Sequence, residues 1–285
     1  MNALDLLRET TNFIHLYTKQ SITESKIEAE EILMHVLGIS KTKIYLNEIL
    51  QLTEILQDQI NNILNKRKND VPLSYILKKH LFYKNSFYID ENVLIPRSET
   101  ENIIDDILLQ GDKIFKRKKR CFFLDAGCGS GCVGITIACE RPLWNVFLSD
   151  AYPNTLGVAK TNMKLCKTDN IQLIAADWLL PFQSKAFDFI FSNPPYIANG
   201  DIRIDKSVVL NEPKSALFSG KDGLRDIKTI IKTSKDVLSH SGVLFIENGV
   251  GQSKKISHLL ELNDFTDISI HLDYNGHERF TSSHK

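Results

Sequence analysis

The chain has 285 residues, 42% hydrophobic and 25% charged, with Lys plus Arg and Asp plus Glu balanced at 35 each. That is ordinary for a soluble globular protein and long enough for one large or two medium domains. A neutral chain has no global field to hold a polyanion, which argues against a dedicated nucleic-acid binder, and no apolar run reaches the about 18 residues of a membrane span. The start, MNALDLLRETT, lacks the basic-then-apolar order of an export signal. Cys121, Cys128, Cys132, Cys139 and Cys166 form an odd set without a paired framework. They read as free, mostly packing thiols in a reducing compartment rather than as metal ligands, so a cytoplasmic location and no metal site are expected.

Residues 1–69 read as helical. Leu4, Leu7 and Ile14, then Ile27, Ile32, Leu33, Val36 and Leu37, then Ile49, Leu52, Ile55, Leu56, Ile60, Ile63 and Leu64 recur at three- and four-residue spacing. Thr23–Ser25 is a candidate helix start and Gly38 a candidate stop. These stripes predict a small helical bundle over 1–70 with no chemistry of its own, whose apolar faces are core. From Val71 to Ile95 the chain is rich in aromatic and branched residues around a Lys84-Asn85 turn, which predicts a β-hairpin linker over 71–96. Next comes a helix in which Ser98 and Glu101 have capping-box spacing and Gly111 marks the end. The basic run at 116–120 reads as a solvated connection.

From Cys121 onward strands and helices alternate: CFFLD, NVFLSD, IQLIAAD, FDFIFSN and GVLFIE, with helices between them and two closing β segments. This predicts a parallel α/β sheet covered on both faces, over 97–285, with an antiparallel final hairpin. The loop LDAGCGSGCVG carries Gly127, Cys128, Gly129, Ser130 and Gly131 from the first core strand to its helix. Glycines there permit a tight turn and close approach of backbone to a ligand. Gly129-x-Gly131-x-x-Gly134, with Asp150 about 20 residues on, also satisfies the dinucleotide fingerprint, so a nicotinamide cofactor competes here. Asp125 turns the reading toward S-adenosylmethionine, because a carboxylate suits an ammonium and a sulfonium better than a pyrophosphate. Asp150 suits ribose hydroxyls under either reading. Asp177-Trp178, after the third core strand, could hold and cover an adenine, or simply cap a helix and pack on the surface.

The fourth core strand ends in Ser192-Asn193-Pro194-Pro195-Tyr196. Both Asn193 and Pro194 precede a proline and are restricted to extended geometry, and neither proline has an N–H. The stiff loop therefore offers acceptors, the Asn193 side-chain oxygen and the Pro194 carbonyl, beside the aromatic face of Tyr196. It is a socket for a planar NH₂ group. Beside a methyl donor this socket makes sense, whereas hydride transfer gives no reason for it. The candidate catalytic residues are Asn193, Pro194 and Tyr196. The socket fits either an adenine amine or a glutamine amide.

The segments PLSYI (72–76), VLIPRSETE (93–101), LDAGCGSG (124–131), AADW (175–178), SNPPYI (192–197), NEPKSAL (211–217) and GHERF (276–280) together resemble the HemK/PrmC family of protein-(glutamine-N5) methyltransferases. The resemblance implies a class I, Rossmann-like S-adenosylmethionine-dependent methyltransferase with a small N-terminal α-helical domain that recognises the substrate. It implies that Gly127 to Gly131, Asp150, Trp178 and Asn193 contact the cofactor. It also implies that Asn193, Pro194, Pro195 and Tyr196 hold the glutamine of the Gly-Gly-Gln motif of peptide chain release factors. Lys78 and Ser98 depart from the family pattern, which commonly has glycine and proline there; Lys78 matters only if its turn needs positive φ. Arg97 is a candidate for the cofactor entrance or a structural ion pair, and Glu212 and Glu247 are candidates to orient the socket loop. No stable nucleic-acid binding and a monomer are expected. An adenine-N6 methyltransferase acting on RNA or DNA is the alternative enzyme, and a cofactor-binding scaffold on the translation machinery is a non-catalytic third reading.

Overall fold

The computed structural model describes residues 2–47, 49–50 and 52–285. The chain forms two compact units, Met1–Lys79 and His80–Lys285. The first unit is helical: α1 (Ala3–Tyr17), α2 (Ile22–Leu37), α3 (Lys41–Tyr45), α4 (Glu54–Lys68) and α5 (Leu73–Leu77). Its core includes Leu6, Leu7, Ile14, Ile32, Leu33, Ile44, Ile60, Ile63 and Leu64. Ile27 and Ile55, expected in the buried stripes, are exposed because the stripe that closes the bundle is narrower than the run of apolar residues, and Ile49 and Leu52 are not on the expected helix at all, since α4 begins only at Glu54; Ile49 is exposed. Gly38 does end α2, in the left-handed conformation. The start of α2 lies two residues before the expected one: Ser21 forms a capping box with Glu24, which leaves Thr23–Ser25 inside the first turn. The Glu28–Arg67 pair is buried between α2 and α4, and Arg67 Nη1 also donates to the Val71 carbonyl at 2.7 Å.

Residues 73–77 are a helical turn rather than part of the hairpin. Lys78 ends it at φ 53°, the left-handed region where glycine is favoured, so the departure from the family pattern falls on a position that needs positive φ. The hairpin is short, β1 (His80–Phe82) with β2 (Asn85–Phe87), and Phe82 faces Asn85. Its two turn residues are therefore Tyr83 and Lys84, one position earlier than expected.

The second unit continues with α6 (Ser98–Glu101) and α7 (Ile104–Lys118). Ser98 is not a cap. It is already helical, Arg97 stands at the cap position without a side-chain bond to the helix end, and the Ser98 hydroxyl donates to Glu99. Gly111 does not end a helix either. Helix α7 runs through it because the Trp144 ring lies on its backbone: a Cβ on Gly111 would fall 2.0 Å from that ring. The basic run is accordingly helical as far as Lys118. Lys118 Nζ donates to Asp188 Oδ1 at 2.6 Å and to the Ser239 hydroxyl at 2.8 Å, so part of the run anchors the helix instead of being solvated.

The sheet alternates as expected: β3 (Phe122–Ala126), α8 (Cys132–Glu140), β4 (Asn145–Asp150), α9 (Pro153–Cys166), β5 (Ile171–Ala175) and β6 (Phe187–Ser192). Then follow α10 (Lys206–Asn211), α11 (Lys214–Leu217), α12 (Arg225–Val237), β7 (Leu238–Glu247), α13 (Ser253–Leu262), β8 (Thr266–Leu272) and β9 (Glu278–His284). Strand order is β5-β4-β3-β6-β7-β9-β8, with β9 antiparallel to both neighbours and the rest parallel. The chain steps from β3 outward to β5, then returns to β6 on the other side of β3. That reversal opens a crevice at the carboxyl ends of β3 and β6, the place where open α/β sheets bind ligands. Phe123, Phe189 and Phe245 pack across β3, β6 and β7 with neighbouring ring centroids 5.3 Å apart, part of the core of the sheet.

Candidate active site

Two cavities open at this crevice. The larger, about 370 Å³, is lined by the glycine loop, Asp125, Asp150, Trp178 and Asn193. The smaller, about 260 Å³, is lined by Arg97, Asn193, Tyr196 and mostly apolar residues including Ile204 and Val208. Leu94, Asn193 and Ala216 border both. One polar side chain thus stands in the partition between a large chamber and a smaller, largely apolar one.

The glycine loop owes its shape to three residues at positive φ, Gly127 (73°), Gly129 (56°) and Gly131 (78°). The N–H groups of Gly127 and Cys128 both donate to the Ser149 carbonyl on β4, at 2.8 and 2.9 Å. Ser130 is fixed from behind: its carbonyl accepts from the buried Asn162 Nδ2 at 2.9 Å, and Asn162 also exchanges bonds with the Tyr88 backbone. Asp150 accepts from Gly129 N–H at 3.1 Å with one oxygen and from Tyr152 N–H at 3.1 Å with the other, and burial raises its pKa. Asp125 is buried, accepts from Gly134 N–H at 2.9 Å, and is pushed by burial up to about 7.

These residues fit S-adenosylmethionine. The Gly134 N–H of the α8 N-terminus, which would serve a pyrophosphate, is already taken by the Asp125 carboxyl. A second carboxyl, Asp150, lines the same chamber. Such a donor and charge set suits a cationic ligand with ribose hydroxyls and opposes a diphosphate. A Cβ on Gly129 would meet no protein atom within 4 Å, so the backbone there is bare toward the chamber. Trp178 lies in a turn at φ 48° with its ring against Gly127, where a Cβ would come within 2.8 Å of it.

Asn193 follows β6, whose last residue is clamped by the Ser192 hydroxyl donating to the Ala126 carbonyl at 2.7 Å. The Asn193 carboxamide makes no hydrogen bond to any described residue, so its acceptor is available to a ligand. Pro194 and Pro195 are buried and Tyr196 is partly so. The Tyr196 carbonyl accepts from Gln252 Nε2 at 2.9 Å, and a Cβ on Gly223 would fall 2.3 Å from that carbonyl oxygen. Past the loop, Ile197 pairs with Phe218, with Ile197 N–H donating to Leu217 at 3.0 Å. Glu212 is buried. It accepts from Ile95 N–H at 3.1 Å and from Arg97 Nη2 at 2.7 Å, tying the 93–97 segment to the loop after α10. Arg97 is thus an ion-paired wall of the smaller cavity, not an entrance to the larger. Glu247 contacts the Tyr196 hydroxyl, so the candidate orienting role falls on the two glutamates differently.

The structure brings Gly127, Cys128, Gly129, Ser130, Asp150, Trp178 and Asn193 together around the larger chamber, with Pro195, expected on the substrate, also on that chamber; it places Tyr196 on the smaller, and the buried Pro194 lines neither. Gly131 lies just behind, as the cap of α8. Sequence reasoning missed Leu94, Thr100, Asn162 and Ala216. Leu94, Thr100 and Ala216 lie within segments that carry the family resemblance, and that is the only signal that pointed to them. Asn162 had none.

The sheet order, the glycine turn after β3 and the paired acidic residues define a Rossmann-like methyltransferase. A model of the methyltransferase small domain matches residues 111–220, and one of the PrmC N-terminal domain matches residues 5–77. The chain is 35% identical to a release factor glutamine methyltransferase of Francisella tularensis subsp. tularensis, over 91% of this chain and 90% of the relative. It is 33% identical to one of Buchnera aphidicola subsp. Acyrthosiphon pisum, over 93% of each. The chain belongs to the family of release factor glutamine methyltransferases. In fold it is also similar to a methyltransferase from Pyrococcus furiosus, with a TM-score of 0.51 at 13% identity, covering 82% of this chain and 99% of that one. Among the described residues no helix is long and apolar enough to cross a membrane.

Proposed function

We propose that this enzyme transfers the methyl group of S-adenosylmethionine to the side-chain amide nitrogen of the glutamine in the Gly-Gly-Gln motif of peptide chain release factors, in the cytoplasm. The observation that carries the reading is the position of Asn193, shared by both cavities and unbonded to any described residue. Gly127 to Gly131, Asp150, Trp178 and Asn193 hold the cofactor, which when bound supplies an electrophilic methyl group on a sulfonium. The glutamine enters the smaller cavity. There the Asn193 oxygen and the Pro194 carbonyl accept its two amide N–H groups, and Tyr196 covers one face of the amide.

An amide nitrogen is a poor nucleophile because its lone pair is delocalised. Acceptors on both hydrogens raise electron density on nitrogen and fix which face meets the methyl group. Holding the reacting atoms in such geometry is worth about 7–11 kcal/mol of barrier. No dedicated base is required, because an alkylated amide nitrogen is acidic. The helical unit, which runs to Lys79 rather than to residue 70, recognises the release factor, and the hairpin and the segment up to residue 96 lead into the catalytic part; the match of residues 5–77 to the PrmC N-terminal domain supports a separate helical unit.

The test is transfer of label from S-adenosylmethionine to a purified release factor, intact or with the motif glutamine changed to alanine, using wild-type and Asn193→Ala enzyme. Labelling that needs both the glutamine and Asn193 is expected. Label that survives loss of the glutamine, or appears only when nucleic acid is added, would transfer the assignment to the adenine reading.

A further inference from the structure

Tyr196 is gripped by residues remote from it in sequence. Arg279 on β9 stacks over its ring, with the guanidinium carbon 5.6 Å from the ring centroid, and Arg279 Nη2 donates to the Tyr196 hydroxyl at 3.2 Å. That hydroxyl in turn donates to Glu247 Oε1, at the end of β7, at 3.4 Å. The other oxygen, Oε2, accepts from the Thr100 hydroxyl at 2.7 Å. Arg279 Nη2 lies 3.8 Å from Glu247 Oε1. Thr100 lines the larger cavity and Tyr196 the smaller, so a carboxyl that borders neither cavity joins a wall of one to a wall of the other.

Glu247 is wholly buried. A carboxyl in such a place is costly unless its bonds are used, and an apolar side chain would pack there more cheaply. What the carboxyl offers is two acceptor oxygens for two hydroxyl groups on different elements. We propose that Glu247 is a positioning residue: with Arg279 it sets the Tyr196 ring in the orientation that presents the acceptor amide to Asn193, and through Thr100 it couples that orientation to the cofactor-side wall. The proposal rests on the function proposed above. Burial, first, and then the nearby Glu99 charge hold Glu247 up to about 7 against the opposing effects of Thr100, Arg279 and Tyr196. The titratable and charged groups that face it are Arg279 from β9, Tyr196 after β6, Glu99 on α6 and Cys132 on α8.

The experiment is a double-mutant cycle in kcat/KM for the release factor at saturating S-adenosylmethionine, on wild type, Glu247→Gln, Tyr196→Phe and the double variant. Glutamine keeps the volume but has one acceptor oxygen instead of two. Glu247→Gln should lower kcat/KM by about 10-fold while the Kd for S-adenosylmethionine moves by less than about 2-fold, and in the Tyr196→Phe background its effect should shrink to under about 2-fold. Arg279→Lys keeps the charge and loses the planar stack, so it should give a partial loss. A full effect of Glu247→Gln in the Tyr196→Phe background, or a loss of cofactor affinity that accounts for the loss of rate, overturns the proposal.

A second measurement needs neither turnover nor a folded Glu247 variant. With ¹³C at the tyrosine Cζ positions, and the Tyr196 signal assigned by its absence in Tyr196→Phe, the wild-type signal should titrate with a midpoint near about 7. A signal that neither titrates nor departs from that of a solvent-exposed tyrosine overturns the proposal. An enzyme that shows this titration but methylates no release factor would refute the assigned acceptor while supporting the grip on Tyr196.

Discussion

Trp178 has a positive φ of 48°, an uncommon conformation for a bulky residue and one that costs on the order of 1–3 kcal/mol. Its ring lies over Gly127, itself at φ 73°. The two residues make one device, a strained indole seated on a bare backbone. Gly127→Ala should therefore do two things at once. It should cost about 1–3 kcal/mol of stability in urea unfolding, and it should weaken S-adenosylmethionine binding by about 10-fold in calorimetry by pushing the ring off its seat. Unchanged affinity would remove Trp178 from the cofactor wall. At this scale the sequence was informative where a residue type is tied to a backbone conformation or a chemistry: the loop glycines, Asp125, Asp150 and Asn193. It was silent on Asn162, whose importance lies in bonds to Tyr88 and Ser130, and it gave Thr100 only as part of a resembling segment, without the bond to the distant Glu247. Lys78 shows the intermediate case, since its dependence on positive φ could be posed from sequence but answered only by the fold.

Among the elements, α7 gives the sharpest contrast between a local rule and its tertiary outcome. A glycine in an exposed helix interior is destabilising by about 1 kcal/mol relative to alanine, so Gly111→Ala would ordinarily stabilise. Here the new Cβ would lie 2.0 Å from the Trp144 ring, which is itself buried, and overpacking of this kind costs about 1–3 kcal/mol. Gly111→Ala should lower the urea midpoint, and a raised midpoint would show that Trp144 has room to move. The same contact explains why Gly111 resembled a helix end: Trp144 lies 33 positions later, beyond any local window. Likewise the basic run at 116–120 looked like a solvated connection because its partner, Asp188, sits on a strand whose place beside β3 only the sheet order reveals. The seven sheet strands were legible, being apolar runs between turn signals. The short turns around the hairpin were not, since one residue of register there rests on Phe82 facing Asn85.

Across the whole molecule, the sheet order gathers Asp125 and Asp150 at one edge, and folding itself thereby shifts protonation. Asp125 is raised by burial to about 7, from an unfolded value of about 3.9. Between those values the folded chain holds a proton that the unfolded chain has lost, so this group's contribution to stability declines as pH rises from about 4 to about 7 and is level above that. Asp125→Asn retains an oxygen to accept from Gly134 and carries no charge. Its stability relative to wild type should therefore climb between pH 5 and pH 8, by on the order of a few kcal/mol in urea unfolding; a pH-independent difference would show that Asp125 is ionised throughout. The parallel order and the closing antiparallel hairpin followed from alternation of strands and helices, whereas the two separate chambers at the reversal point did not. Those chambers have a pharmacological consequence. The partition is only as thick as Leu94, Asn193 and Ala216. A single compound with a nucleoside at one end and a carboxamide at the other would span it, and joining two weak ligands in this way raises avidity by about 10²–10⁴ without any new contact. On the proposed function, the same thin wall that lets the two reactants meet makes the enzyme vulnerable to a bisubstrate inhibitor.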